Sequence, residues 1–156
     1  MRTGYLIPAF LAAAALLAAC GGETGPAAEL PGTPAAPAPT VEELPPPYSE
    51  ANPEAGKQAF GKKCGSCHYL DRKKGHMVGP NLNGVFERGP AGAGNYGSYS
   101  AALKALPGDT WDPAALDQWL ANPRAFLPGS NMFFNGIADA NERRDVIAYL
   151  MIESRK

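Results

Sequence analysis

Apolar and polar positions divide this chain into three stretches. From Tyr5 to Leu17 the residues are apolar, broken only by Pro8. As a helix, Tyr5 to Cys20 would span about 24 Å, short of the roughly 30 Å hydrocarbon core of a bilayer. From Gly21 to Ala51 no period is visible. Pro26, Pro31, Pro34, Pro37, Pro39 and the run Pro45-Pro46-Pro47 alternate with Ala, Gly, Thr and Glu. Such a stretch has almost nothing to bury and is expected not to fold. From Asn52 onward the helical period sets in. Asn52-Pro53-Glu54 combines a capping residue, a proline at the first helical position and an acid in the first turn. It predicts a helix to about Lys63, with Gly56 and Phe60 on one face. A glycine inside a helix costs about 1 kcal/mol against alanine, so Gly56 points to a close helix crossing. A short helix is predicted over Ser100 to Leu106, ended by Pro107-Gly108. Asp112-Pro113 starts another, with Leu116, Trp119 and Leu120 on one side and a stop at Asn122-Pro123. Asp139 with Glu142 forms a capping box. The last helix then carries Val146, Ile147, Leu150 and Met151 as a stripe, with Tyr149 beside it.

Charge sharpens this division. The net charge of −1 is small and gives no basis for a nucleic-acid partner. Up to Ala51 the acids Glu23, Glu29, Glu42, Glu43 and Glu50 face Arg2 alone; from Asn52 there are 13 Lys/Arg against 10 Asp/Glu. An acidic arm precedes a mildly basic domain. The first segment, too short for a span, reads as an export signal. Leu17-Ala18-Ala19-Cys20 resembles the lipobox of bacterial lipoproteins. Residues 1–19 are then a cleaved signal, 20–51 a tether and 52–156 the folded domain. Cleavage would leave Cys20 first and carrying acyl chains, each buried methylene contributing about 0.8 kcal/mol to membrane binding. The alternative is an ordinary signal whose cleavage site happens to contain a cysteine, but a lone exported thiol is a reactive liability. The tether spans about 30 Å as flexible coil and approaches about 95 Å as polyproline. It reads equally as a leash or as an inert spacer.

The chemistry centres on Cys64-Gly65-Ser66-Cys67-His68. C-x-x-C-H is the attachment pattern of c-type haem. Two thiols that add to the vinyl groups of one porphyrin must sit on one local turn, and the next imidazole falls under the iron. A zinc site of Cys64, Cys67, His68 and His76 lacks the usual paired spacing. A thioredoxin-like pair would need a βαβ pattern, and none is visible. The three cysteines are thereby accounted for, two by haem and Cys20 by lipid. Gly92 to Gly97 spells G-x-G-x-x-G, but no strand precedes it, so it is read as a flexible loop.

Over Asn52 to Lys156 the chain resembles the class I cytochromes c, in particular the mitochondrial and bacterial c2 types. Gly56 and Phe60 match the family's first-helix pair. Pro80 follows the haem histidine by twelve residues, and in the family its carbonyl accepts from that ring. His76 resembles the loop histidine that ties two loops together, a structural role. Arg88, Tyr99 and Trp111 resemble residues near the haem propionates. Leu103 stands where many relatives carry Asn. Trp119 stands where mitochondrial relatives place a Tyr near the methionine sulfur, either donating from its indole or filling space. The loop Phe126 to Gly136 resembles the ligand loop, with Met132 as second axial ligand. The other methionines fit less well: Met1 leaves with the signal, Met77 is close to His68 in sequence, and Met151 lies on an apolar helix stripe. Asn131 replaces a lysine common in eukaryotic relatives.

The resemblance implies an all-α, small class I cytochrome c fold, with N- and C-terminal helices crossing and three to five helices around one covalently bound haem c. Iron ligated by His68 and Met132 has no open position, which implies one-electron transfer and not catalysis. A thioether ligand in a dry pocket raises the potential. The implied partners are a bc1-type donor and a terminal oxidase or photosynthetic reaction centre, met by a monomer through Lys62, Lys63, Lys73, Lys74 and Lys104. For Arg72, Lys73 and Lys74 the alternative is a plain solvated face. Other functions stay open: an open-site haem enzyme or gas- or peroxide-binding protein, or a fixed electron-transfer subunit of a larger complex. The expected location is the periplasmic side of a bacterial membrane, lipid-anchored or, failing that, soluble, with inner and outer membrane undecided.

Overall fold

The first predicted cap holds. In the computed structural model, which describes residues 37–108 and 110–156, the Asn52 side chain accepts from Ala55 N–H, and helix α1 runs Pro53–Lys63. The other helices are α2 (Ala101–Ala105), α3 (Pro113–Ala121), α4 (Pro123–Phe126) and α5 (Ala140–Glu153). Short 3-10 turns lie at Val41–Glu43, Tyr48–Glu50 and Val85–Glu87. No strand occurs among the described residues, so the all-α class holds. Nor is any described helix long and apolar enough to cross a membrane. Cys20 and the proposed signal lie outside the described residues.

α1 packs against α5 at Gly56. A Cβ there would sit 2.1 Å from the Asp145 carbonyl oxygen, so no side chain fits. One turn on, the Phe60 and Tyr149 rings lie 5.6 Å apart, and further along Lys63 Nζ meets Glu142 Oε2 at 3.1 Å. The α5 stripe is buried as predicted, Val146 and Ile147 completely. At about 1.5–3 kcal/mol per fully buried aliphatic side chain, this stripe contributes much of the core.

Three local expectations are corrected. Asp139 caps α5 by accepting from Asn141 and Glu142 N–H, but the return half of the capping box is not made, because Glu142 is taken by Lys63. Asn122-Pro123 does end α3, yet it also starts α4: the Asn122 side chain accepts from Ala125 N–H. The third correction concerns the unfolded tether up to residue 51. Residues 37–51 lie on the domain, with Leu44 6% and Tyr48 9% exposed. The second 3-10 turn packs on α5, and Asn52 N–H donates to Asp145 Oδ1 at 2.9 Å.

Candidate haem site

The end of α1 delivers the attachment motif. Cys64 is the C-cap of the helix, and the N–H groups of Cys67 and His68 both donate to its carbonyl at 2.9 Å. This tight turn puts both sulfurs and the imidazole along one cleft of about 1270 Å³, including its open mouth. Burial pushes the Cys64 thiol up to about 11. Burial also holds the His68 imidazole below its usual pKa, against the opposing pull of its bond to Pro80. A carbonyl can only accept, so the 2.7 Å contact between His68 Nδ1 and Pro80 O puts the proton on Nδ1. The Nε2 lone pair has no protein partner among the described residues and is free to bind a metal.

Gly79 completes the seat. A Cβ there would stand 2.3 Å from His68 Cε1, so the bare backbone lies flat against the ring. The only sequence signal for this contact is a glycine immediately before Pro80.

Met132 lines the same cleft from the loop after α4. Its sulfur accepts from Trp119 Nε1–H at 3.2 Å, which decides between the two roles left open for Trp119: the indole donates. Trp119 is held by Trp111, 5.5 Å away between ring centroids, and Phe126, 5.9 Å away. Asn131 Nδ2 donates to the Ser98 carbonyl and ties the Met132 loop to the glycine-rich loop. Arg143 fixes the far end: its guanidinium bonds Asp117 and the carbonyls of Ile137 and Ala138.

The rest of the lining is mostly apolar, including Val85, Leu103, Leu116, Leu120, Val146 and Leu150. Arg88, Tyr99 and Trp111 supply polar groups to it. Arg88 donates to the carbonyls of Asn81 and Asn83, and burial lowers its pKa. The Tyr99 hydroxyl accepts from Ala93 N–H at 3.0 Å, and burial raises its pKa. Trp111 is half-buried, and its indole N–H meets no described partner. His76 has both ring nitrogens engaged, accepting from Asn81 N–H and donating to Gly94 O. It is therefore no metal ligand, and no group of three or more His, Cys, Asp or Glu able to hold an ion is found among the described residues. The zinc reading falls with it.

The five lysines differ in their surroundings. Lys63 lines the cleft but is paired with Glu142. Lys74 sits 4.8 Å over the Tyr69 ring and lines a separate polar hollow with Arg72 and His76. Lys62, Lys73 and Lys104 are exposed outside the cleft lining. Sequence reasoning gave no role to Val78 and Phe133, 77% and 85% exposed, which both line the cleft.

Two thiols on one turn, an imidazole with its outer nitrogen free, a thioether from a distant loop and apolar walls fit a covalently attached haem. The site and the helices thus define a c-type haem protein. The family model for cytochrome c matches residues 53–152. The chain is 42% identical to cytochrome c of Cannabis sativa over 106 residues, 66% of this chain and 94% of that one. It is also 42% identical to the cytochrome c-type cyt cy of Rhodobacter capsulatus over 113 residues, 68% of this chain and 55% of that one. The solved cytochrome cH from Methylobacterium extorquens superposes with a TM-score of 0.57 at 42% identity, covering 64% of this chain and 97% of that one. The chain belongs to the cytochrome c family and has its class I fold. Its cofactor is one haem c, covalent through Cys64 and Cys67 with His68 and Met132 at the iron, and it is an electron carrier.

Proposed function

We propose that this cytochrome is exported and lipid-anchored through Cys20, and carries single electrons between a bc1-type donor and an oxidase or reaction-centre acceptor. The observation that carries the electron-transfer reading is that the chain's own contacts hold both ligand side chains at one cleft. Pro80 fixes the ring of His68, and Trp119 and the Asn131–Ser98 contact hold Met132. Bound haem c supplies a one-electron couple. The chain's part is to keep both ligands in place and to wall out water, which disfavours added charge and raises the potential. Arg88, Tyr99 and Trp111 are assigned to the propionates. At the cleft mouth, Val78 and Phe133 offer an apolar contact, with Lys62, Lys63, Lys73, Lys74 and Lys104 assigned to steering.

CO binding to the reduced, purified protein tests the closed site. No binding at neutral pH is expected; rapid stoichiometric binding would overturn the carrier reading. Reversal of Lys73 and Lys74 to Glu should slow electron delivery and flatten its salt dependence, and an unchanged rate at low salt removes them from the docking face. Cys20→Ser should move the protein from membrane to soluble fractions; retention in the membrane refutes the lipid anchor.

A further inference from the structure

The segment 37–51 precedes the family-matched residues 53–152, yet it lies on the domain. Its hold is narrow. Leu44 and Tyr48, four residues apart, are its buried side chains, with Val41 and Ala51 half-buried against the same core, while Glu42, Glu43 and Pro45 to Pro47 are exposed. Its backbone hydrogen bonds close within three residues: Leu44 N–H to Val41 O, Tyr48 N–H to Pro45 O, Ala51 N–H to Tyr48 O. Toward α5 it has the Glu50–Arg144 pair, a loose 4.0 Å contact with Glu50 75% exposed, and Asn52 at its root. Two buried side chains, and backbone bonds that close within the segment itself, mark a segment that opens locally while the core stays folded. None of its residues lines the haem cleft.

We infer that residues 37–51 are a releasable strap that sets the reach of the tether. This rests on the proposed lipid anchor at Cys20. Docked, the strap keeps these residues out of the free tether, and none of them lines the cleft. Released, it adds fifteen residues of leash, up to about 50 Å when extended. Leu44 and Tyr48 are the latch. The domain thus has a short and a long leash without any change at the haem.

Hydrogen exchange on the full-length haem-loaded protein tests the latch. In the wild type, amides 44, 48 and 51 should exchange slower than unstructured chain but well before the α5 core. Leu44→Ala with Tyr48→Ala should speed them at least tenfold and leave α1 and α5 unchanged; Leu44→Ala alone serves as the milder variant should the double one fold poorly. Wild-type amides exchanging as free chain, or only together with α5, overturn the strap. Reach is read on phosphatidylethanolamine–phosphatidylglycerol vesicles carrying a headgroup dye that haem quenches. The latch variant should quench less than wild type; equal quenching with faster exchange overturns the role in reach. If the wild type does not bind these vesicles, the lipid anchor fails and with it the role in reach, while the exchange result still decides whether the strap docks and releases.

Discussion

Trp119 places an N–H 3.2 Å from the sulfur of Met132, and replacing it with phenylalanine isolates what that contact does. Phenylalanine keeps an aromatic ring on α3 beside Trp111 and Phe126 and removes only the donor and part of the ring. An N–H aimed at a thioether draws electron density from sulfur. The sulfur then donates less to oxidised iron, so the contact favours the reduced protein and raises the potential. Removing the donor lowers it. A net hydrogen bond contributes about 0.5–1.5 kcal/mol, and sulfur is a weak acceptor, which places this one in the lower half of that range. For a one-electron couple about 1.4 kcal/mol corresponds to 59 mV, so a contact fully felt by one oxidation state shifts the potential by about 20–40 mV.

Spectroelectrochemical titration of the haem-loaded Trp119→Phe variant measures this. The expected result is a drop of about 20–40 mV with the reduced protein still closed to CO. Trp119→Tyr, which restores a donor on a ring of similar size to phenylalanine, should recover part of the drop. A role in filling space alone predicts the same potential for Phe and Tyr. A Phe variant within about 10 mV of wild type, or above it, refutes the assignment of Trp119 as the positioning and tuning partner of Met132.

Gly56→Ala gains about 1 kcal/mol of helix propensity but drives a Cβ to 2.1 Å from Asp145 O, and overpacking of about 1–3 kcal/mol wins. Calorimetry should show a lower Tm, by about 4–8 °C per kcal/mol lost; a rise refutes the close approach of α1 and α5. Gly79→Ala pushes a methyl to 2.3 Å from the His68 ring, and the variant is expected to load haem poorly or to bind CO where the wild type does not; normal loading and a closed site refute the seat. Burial raises the Tyr48 pKa above the ordinary tyrosine value of about 10, with Asp117 and Asp112 adding to the shift. The neutral phenol is therefore the docked form: its contribution is complete below about pH 10 and is lost as pH rises through the higher folded value. A haem-quenched dye on Ala38→Cys should brighten above that pH, and Tyr48→Phe should abolish the brightening; an identical transition in Tyr48→Phe refutes the link.

What the sequence revealed and what it hid differ in range. Asn52, Asp112 and Asp139 were legible as caps because a cap is a bond to an N–H two or three residues away, and each side chain makes that bond. The attachment motif was legible for the same reason: the turn from Cys64 to His68 is closed by its own backbone. The strap was not. Averaged over 31 residues rich in proline and alanine, Leu44 and Tyr48 vanish into a composition that predicts disorder, and only their spacing of four marked two anchors for one surface. Glu142 shows the limit most sharply. Its spacing from Asp139 satisfies the capping box, but α1 brings Lys63 within 3.1 Å, and a full charge outcompetes a backbone N–H that Asp139 does not need bonded for the helix to start. Local spacing states which bonds a residue is able to make; tertiary packing decides which it keeps. For Trp119 packing kept the functional one. The resemblance left the Trp119 indole either donating or filling space, and only the return of the Met132 loop to α3, 13 residues along, makes it a donor to the iron's ligand.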